Sequence, residues 1–391
     1  MLEAIEIVPD VYWVGGIDWN ERYFHGYTTE RGSTYNAYLI VDEKVALIDT
    51  CKAPFADDLL ERVRSVVDLA RIDYIVSNHG EPDHSGALPR VAAVAPNARV
   101  VVGAGKGEEI LRAYYGDGLD LMPVKTGDEL ALGERTLTFV QTPMVHWPDN
   151  MVTYDAFDKV LFSNDAFGQH LATSKRFDDE VGLPEVLLQA KKYYANIVMP
   201  YSRQVRKALD AVEGLDLAMI APSHGVIWRS HVGDILREYA GWCANEPDEA
   251  AVVVYDSMWH TTEAMAKAAA EAFVERGVPV RLLDVKRNHI SDIMTEVLDA
   301  KYIAVGSPTL NNSMMPTVAE FLCYFKGLAP KGRMGLAFGS YGWAPAGPNE
   351  VAAQLEAAKV AQPVEPVTRQ WGDDGTAQAA MAEAVAALAQ A

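Results

Sequence analysis

Apolar and polar positions alternate in two different rhythms along this chain. Residues 1 to about 246 carry short apolar runs separated by longer connections. Asn36–Asp49 (NAYLIVDEKVALID) reads as two strands joined by a polar turn, and Tyr74–Ser77, Arg99–Val102, Thr136–Gln141, Lys159–Ser163 and Leu217–Ala221 read as further strands. Helical periodicity marks Asp57–Leu69 and Glu109–Tyr115. The strands are too closely spaced for a simple strand–helix–strand series, so the first part predicts a mixed α/β domain.

From Ala250 the rhythm changes. A buried strand, Ala251–Tyr255, precedes a loop and an Ala-rich helix from Thr262 to about Arg276, closed by Gly277. PVRLLDV, KYIAVGS and GRMGLAFGS then read as strands separated by helices. Strand–helix alternation of this kind predicts a doubly wound parallel sheet. The domains are therefore set at residues 1–246 and 250–391, with the acidic stretch Ala244–Glu249 (ANEPDE) as linker. The tail, Ala377–Ala391, reads as a packed Ala-rich helix.

Composition narrows the function classes. At 391 residues, two domains are the natural expectation, and 49% hydrophobic residues suffice for packed cores. No run approaches the ~20 apolar residues that span a bilayer. The N-terminus lacks the basic region and cleavage pattern of a signal peptide, so a soluble, cytoplasmic protein is expected. A formal charge of −20 argues against nucleic acid and anionic membranes as partners. The cysteines, Cys51, Cys243 and Cys323, form no C-x-x-C pair, which disfavours zinc ribbons, iron–sulfur clusters and a fused rubredoxin-type domain. All three are expected to be buried, reduced thiols.

The chemistry concentrates in SNHGEPDHSG, directly after the strand ending at Ser77. His79, Glu81 and Asp83 alternate and can converge, with His84 turned to a second centre. His146 follows the strand Thr136–Gln141, Asp165 follows Lys159–Ser163, and His224 follows Leu217–Ala221. A single histidine would read as core. Four strands that each deliver a metal-competent side chain just past their ends read as a metal site. Three carboxylates among these seven side chains make the donor set a hard one.

In the second part, Ser257, Thr261 and Thr262 place hydroxyls and backbone N–H groups at a helix N-terminus, which suits a phosphate. Neither a G-x-x-x-x-G-K-[ST] loop nor a G-x-G-x-x-G fingerprint is present.

This constellation resembles the metallo-β-lactamase superfamily and, within it, the flavodi-iron proteins, whose H-x-E-x-D-H pattern is matched by His79, Glu81, Asp83 and His84. Zinc members of the superfamily carry a third histidine at the position of Glu81, and exchanging that imidazole for a carboxylate hardens the site, adds negative charge and favours iron over softer-ligand metals. The resemblance implies an N-terminal metallo-β-lactamase-like αββα sandwich and a C-terminal flavodoxin-like doubly wound parallel sheet. It implies two irons per chain: one held by His79, Glu81 and His146, the other by Asp83, His84 and His224, with Asp165 bridging. It implies bound FMN, contacted by Ser257, Met258, Trp259, His260, Thr261 and Thr262, by Ser307, Pro308, Thr309, Leu310, Asn311 and Asn312, and by Gly339, Ser340, Tyr341, Gly342 and Trp343. His260 departs from the glycine common in flavodoxins. His25 and Tyr194 match positions lining the substrate pocket, while His170 reads from its own setting as an outer partner of the metal site. His231 and His289 read as structural.

The activity so implied is reduction of O2 to water, of NO to N2O, or of both. Electrons would arrive through FMN from a separate carrier, in this family usually rubredoxin or a reduced deazaflavin, because the chain ends after the flavodoxin-like part. Domain radii of roughly 18 and 14 Å could hold the flavin and irons of one chain far apart. A head-to-tail homodimer, or a dimer of dimers, is therefore expected. Competing readings are a metal-dependent hydrolase with a regulatory flavodoxin domain and a non-catalytic electron carrier or redox sensor.

Overall fold

The computed structural model describes residues 2–372 and 375–391. Contacts divide the chain into two compact units. The first comprises Met1–Phe24, Thr29–Tyr193 and Arg203–Ala240, and the second His25–Thr28, Tyr194–Ser202 and Gly241–Ala391. The two short excursions belong to the second unit for visible reasons. Thr28 bonds Ser291 through backbone and hydroxyl, and the Asn196 amide donates to the Ser291 carbonyl and accepts from Tyr324.

The first unit is built on two sheets. One has seven strands, in the order Ile5–Val8, Val11–Trp13, Tyr38–Val41, Val45–Ile48, Ile72–Ser77, Arg99–Gly103 and Leu121–Val124. The other has five: Glu129–Ala131, Thr136–Gln141, Met151–Asp155, Val160–Asn164 and Met219–Pro222. The expected pair within Asn36–Asp49 forms an antiparallel hairpin, Tyr38 opposite Ile48. Its strands are buried on both faces, so alternate residues serve different cores. Tyr38, Ile40, Ala46 and Ile48 face the core that also contains Leu137, Phe139 and Phe162 of the second sheet. Leu39, Val45 and Leu47 face the helices, beside Leu59, Val63, Leu88 and Leu111. Both layers bury apolar side chains on the scale of about 2 kcal/mol each.

The helix expected over Asp57–Leu69 is shorter, Ala56–Arg64. The chain turns after Ser65, and Asp68 caps a separate short turn, Leu69–Arg71, by accepting from the Ala70 N–H.

The second unit holds a five-stranded parallel sheet in the order Val280–Asp284, Asp248–Tyr255, Ala300–Gly306, Met334–Tyr341, Val367–Gln370. Numbered along the chain, that is the 2-1-3-4-5 order of flavodoxin-like sheets. Its first strand begins at Asp248, inside the stretch read as linker. The tail helix, Thr376–Leu388, buries Met381, Val385 and Leu388 against Phe273 and Phe338, a packed element as expected.

Cys51 and Cys243 are buried, but Cys323 is exposed, which corrects the expectation of three buried thiols. It sits on the helix Pro316–Leu328, whose inner stripe is Val318, Phe321, Leu322 and Phe325, and position 323 falls outside that stripe. Among the described residues, no helix is long and apolar enough to cross a membrane.

Candidate metal centre and flavin cavity

Four loops that follow strands bring seven side chains together. Their ligand atoms fall into two groups, His79–Glu81–His146–Asp165 and Asp83–His84–His224, within 4.8 Å of one another in each group. Glu81 Oε2 lies 3.2 Å from His79 Nε2 and 3.4 Å from His146 Nε2. Asp83 Oδ1 lies 3.4 Å from His84 Nε2, and its Oδ2 lies 3.2 Å from His224 Nε2. Asp165 faces both groups. Its Oδ2 is 3.6 Å from His79 Nε2 and 3.5 Å from His146 Nε2, while Oδ1 is 3.1 Å from His84 Nε2 and 3.5 Å from His224 Nε2.

This polar cluster is almost wholly dry. Six of the seven side chains are at most 8% exposed, and His146 is 11% exposed. Asp83 Oδ1, Asp165 Oδ2 and both His84 ring nitrogens are buried with no hydrogen-bond partner among the described residues. Orphaned buried acceptors facing imidazole nitrogens are costly unless a cation completes them. The donor set therefore fits two metal ions bridged by one carboxylate.

The charge pattern follows from the same crowding. Burial opposes the charge on His79 and His84, but their carboxylates win. Asp149, Glu81 and Asp165 push His79 well up, and Asp83 and Asp165 raise His84 to about 9. Burial pushes Asp83 and Asp165 up, but the neighbouring histidines hold both below the usual carboxylate range. His146, dominated by burial, is lowered. Metal binding at such a cluster must displace protons.

Outer groups fix the imidazoles. His224 Nδ1 lies 2.7 Å from the Thr34 carbonyl oxygen, which can only accept, so Nδ1 carries the proton and Nε2 is left for a metal. His79 Nδ1 is 3.1 Å from both oxygens of Asp149, which also accepts from the Gly80 N–H at 2.7 Å. Removing Asp149 by Asp149→Ala is expected to weaken metal retention about 10–100-fold. Titration with a competing chelator checks this, and unchanged retention would mean that Asp149 does not orient His79.

Sequence reasoning missed Asp149, and it also missed Asp49. That carboxylate accepts from the Asn78 N–H and amide and from the Asn164 amide, and Asn164 in turn bonds Ser223. Asn78, Asn164 and Ser223 each immediately precede a member of the cluster, so one buried acid ties three loops. Tyr193 was missed too. Its hydroxyl donates to Asp165 Oδ1 at 2.9 Å. The signal was available: Val186, Ala190 and Tyr193 form the inward stripe of the helix Leu183–Tyr193.

Tyr194, the residue expected at the pocket, is buried in the second unit. Its hydroxyl meets Ser202 Oγ at 3.1 Å and its ring packs on Trp242. His25 also falls in the second unit, exposed, in the turn between Tyr23–Phe24 and Tyr27–Thr28. His170 stands beside the cluster, its ring 4.7 Å from that of His224 and its Nδ1 2.7 Å from Ser33 Oγ. His231 bonds Asp234, and His289 caps the helix Ile290–Val297, structural roles as expected.

The second unit carries a cavity of about 680 Å³ at the carboxyl ends of its strands. Met258, Trp259 and Thr261 line it, with Pro308 through Asn312 and Ser340 through Trp343. Its size suits a cofactor with a three-ring head. Ser257 Oγ, next to that wall, is buried with no partner among the described residues, an orphan donor at the start of the helix Thr261–Glu275 where an anion would bind. Asn311 and Asn312 both have positive φ, in a tight turn closed by Leu310 and Ser313.

Other expected residues do not line the cavity. Thr262 spends its hydroxyl on Ser340, 2.9 Å from Ser340 Oγ, and Ser307 accepts from the Met315 N–H. Gly339 has φ 159°, and a Cβ there would lie 1.8 Å from the Ser307 carbonyl oxygen, so these residues brace one loop on the next. His260 points outward, 87% exposed, with φ 66°. It adopts the left-handed conformation that glycine prefers. Trp371 and Gly372, beyond the strand Val367–Gln370, complete the wall and were not foreseen.

Residues 34–225 match the family described as ODP family beta lactamase, and residues 253–387 match the flavodoxin family. The chain is 44% identical over 377 residues to a nitric oxide reductase of Moorella thermoacetica, spanning 95% of this chain and 94% of that protein. Among solved structures it is similar to rubredoxin oxygen:oxidoreductase from Desulfovibrio gigas, with TM-score 0.96, 39% identity and coverage of 99% and 98%. It is equally similar in fold to the flavodiiron protein from Giardia intestinalis, with TM-score 0.96, 37% identity and coverage of 100% and 97%.

Proposed function

The chain belongs to the flavodi-iron family, and from that premise we propose that it reduces dioxygen, nitric oxide or both at a di-iron site supplied with electrons by FMN. The observation that carries this reading is the pairing of two buried ligand groups across Asp165 with a flavin-sized cavity in the same chain. We assign one iron to His79, Glu81 and His146, the other to Asp83, His84 and His224, and the bridge to Asp165. We assign the iron-binding function to residues 1–246 and the flavin-binding function to residues 250–391.

When bound, the irons supply open coordination positions and the flavin supplies electrons one or two at a time. The protein's own work is positional. Asp149 and Thr34 hold His79 and His224 in the required tautomer, and the Tyr193 hydroxyl, 2.9 Å from Asp165 Oδ1, donates a hydrogen bond that orients this carboxylate. Burial of the cluster keeps bulk water from competing for the site. Glu81 and the flavin cavity weigh against a zinc hydrolase, since zinc has no redox chemistry for a flavin to serve.

We further propose a rubredoxin-type electron donor, a cytoplasmic location and a head-to-tail homodimer. The dimer is argued from size: domain radii of roughly 18 and 14 Å can hold the flavin and irons of one chain far apart, and a two-fold partner brings them together.

Purified protein is expected to be yellow, with two irons and one FMN per chain. After anaerobic reduction it should consume O2 or NO, each gas supplied separately. Two zincs and no iron after iron-replete expression, or no turnover of either gas by fully loaded protein, would overturn the proposal.

A further inference from the structure

A second, smaller cavity lies wholly in the first unit, lined by Val145, Val152, Leu161, Ala166, Leu209 and Val212 among others. Its lining presents no polar atom to the space. The one hydroxyl-bearing aromatic in its wall, Tyr239, accepts the Phe167 N–H at 2.8 Å. The room inside, about 20 Å³, is that of one very small molecule. Water needs two to four polar partners to settle in such a space, so the cavity stays dry. An uncharged diatomic gas has no such requirement and is more soluble in an apolar phase than in water.

The placement gives the cavity its meaning. Val145 immediately precedes His146, and Ala166 immediately follows Asp165, so two walls come from the segments that carry members of the metal cluster. A third wall is the helix Ser202–Val212, whose Val205, Leu209 and Val212 fall at i, i+4 and i+7 on one face. Val205 and Val212 are buried and Leu209 is half-buried, which puts Leu209 on the solvent side.

We propose that this cavity is a docking site for the diatomic substrate, O2 or NO, holding it at raised local concentration against the segments that carry His146 and Asp165. The inference rests on the gas-reducing function proposed above and adds to it where the gas waits. Leu209 then controls access and affinity and takes no part in the chemistry.

The test uses the iron- and FMN-loaded protein. Crystals pressurised with xenon are expected to show one xenon between Val145, Ala166 and Leu209. Filling the cavity with Leu209→Trp should raise the KM for O2 and for NO roughly five- to tenfold while kcat and iron content hold, the pattern of lost ground-state binding. Leu209→Ala, which enlarges the space, should leave both KM values at or below those of the native protein. If Leu209→Trp does not fold, Ala208→Phe fills the same space from the neighbouring position. An active enzyme with no xenon at this site, or with a filled cavity and unchanged KM, would overturn the docking site alone. Native protein inert to both gases would overturn the gas-reducing function, and this site with it.

Discussion

Glu81→His is expected to convert the iron site into a zinc site and to lower O2 and NO reduction by about a hundredfold or more. Glu81 Oε2 is placed within 3.4 Å of two imidazoles, His79 and His146, so a histidine at 81 would complete an all-nitrogen face. The exchange removes one of the cluster's three carboxylates, the others being Asp83 and Asp165. It lowers the negative charge and softens the donor set, and both changes move preference from iron toward zinc. Disturbing only the outer partner of a ligand typically costs 10–100-fold. Here a proposed ligand itself changes and a redox-inactive metal is expected to enter, so the loss lies at or beyond the top of that range. Metal analysis separates this from misfolding, because the variant should hold zinc near stoichiometry and keep its FMN. Retention of iron with full turnover of both gases would show that Glu81 is not what sets the metal.

The legible and illegible parts of this chain divide by the range of the interactions that define them. His79, Glu81, Asp83 and His84 were readable because one short segment carries them. His146, Asp165 and His224 were readable because each closely follows an apolar strand. Asp49 was not, although it also follows a strand, because its role lies in what it binds. It accepts from Asn78 and Asn164, 29 and 115 residues away, and no local pattern announces that. Tyr193 and Tyr194 are adjacent, and resemblance to a family position favoured the second. The helical stripe through Val186 and Ala190 points to the first in a different role, as the partner of Asp165, and that period was present in the sequence.

The flavin cavity repeats the lesson. The loops after three buried strands were found from their hydroxyls, asparagines and aromatics. Trp371 was missed because the strand before it, Val367–Gln370, reads VTRQ, too polar to stand out as a strand. It lies at the sheet edge, where a polar sequence is tolerated. A Cβ on Gly342 would come within 3.3 Å of the Trp371 ring, so the close approach of the two loops is written in a glycine whose partner is 29 residues away.

Mixing two inactive variants is expected to restore about a quarter of native gas reduction, because a head-to-tail dimer with two-fold symmetry rebuilds one intact flavin–iron pair in each mixed dimer. The first variant, His84→Ala with Asp165→Ala, removes one proposed ligand and the proposed bridge, so it should bind FMN but not the iron pair. The second, Ser257→Glu, places a carboxylate beside the helix N-terminus where the buried Ser257 hydroxyl has no partner among the described residues. Like charge then repels the flavin phosphate while the iron site is untouched. Ser257 is the better target than Thr262, whose hydroxyl already ties its helix to Ser340 and whose loss would disturb packing. Random exchange of subunits makes half of the dimers mixed, and each carries one working pair out of two, hence the quarter. Electron transfer confined within a chain predicts no recovery, since neither variant contains both cofactors. Native mass spectrometry verifies that mixed dimers form, and iron and flavin analysis verifies that each subunit carries its expected cofactor. Verified mixed dimers that remain inactive would overturn the head-to-tail arrangement, and a native protein that is monomeric at working concentration would do so before any mixing.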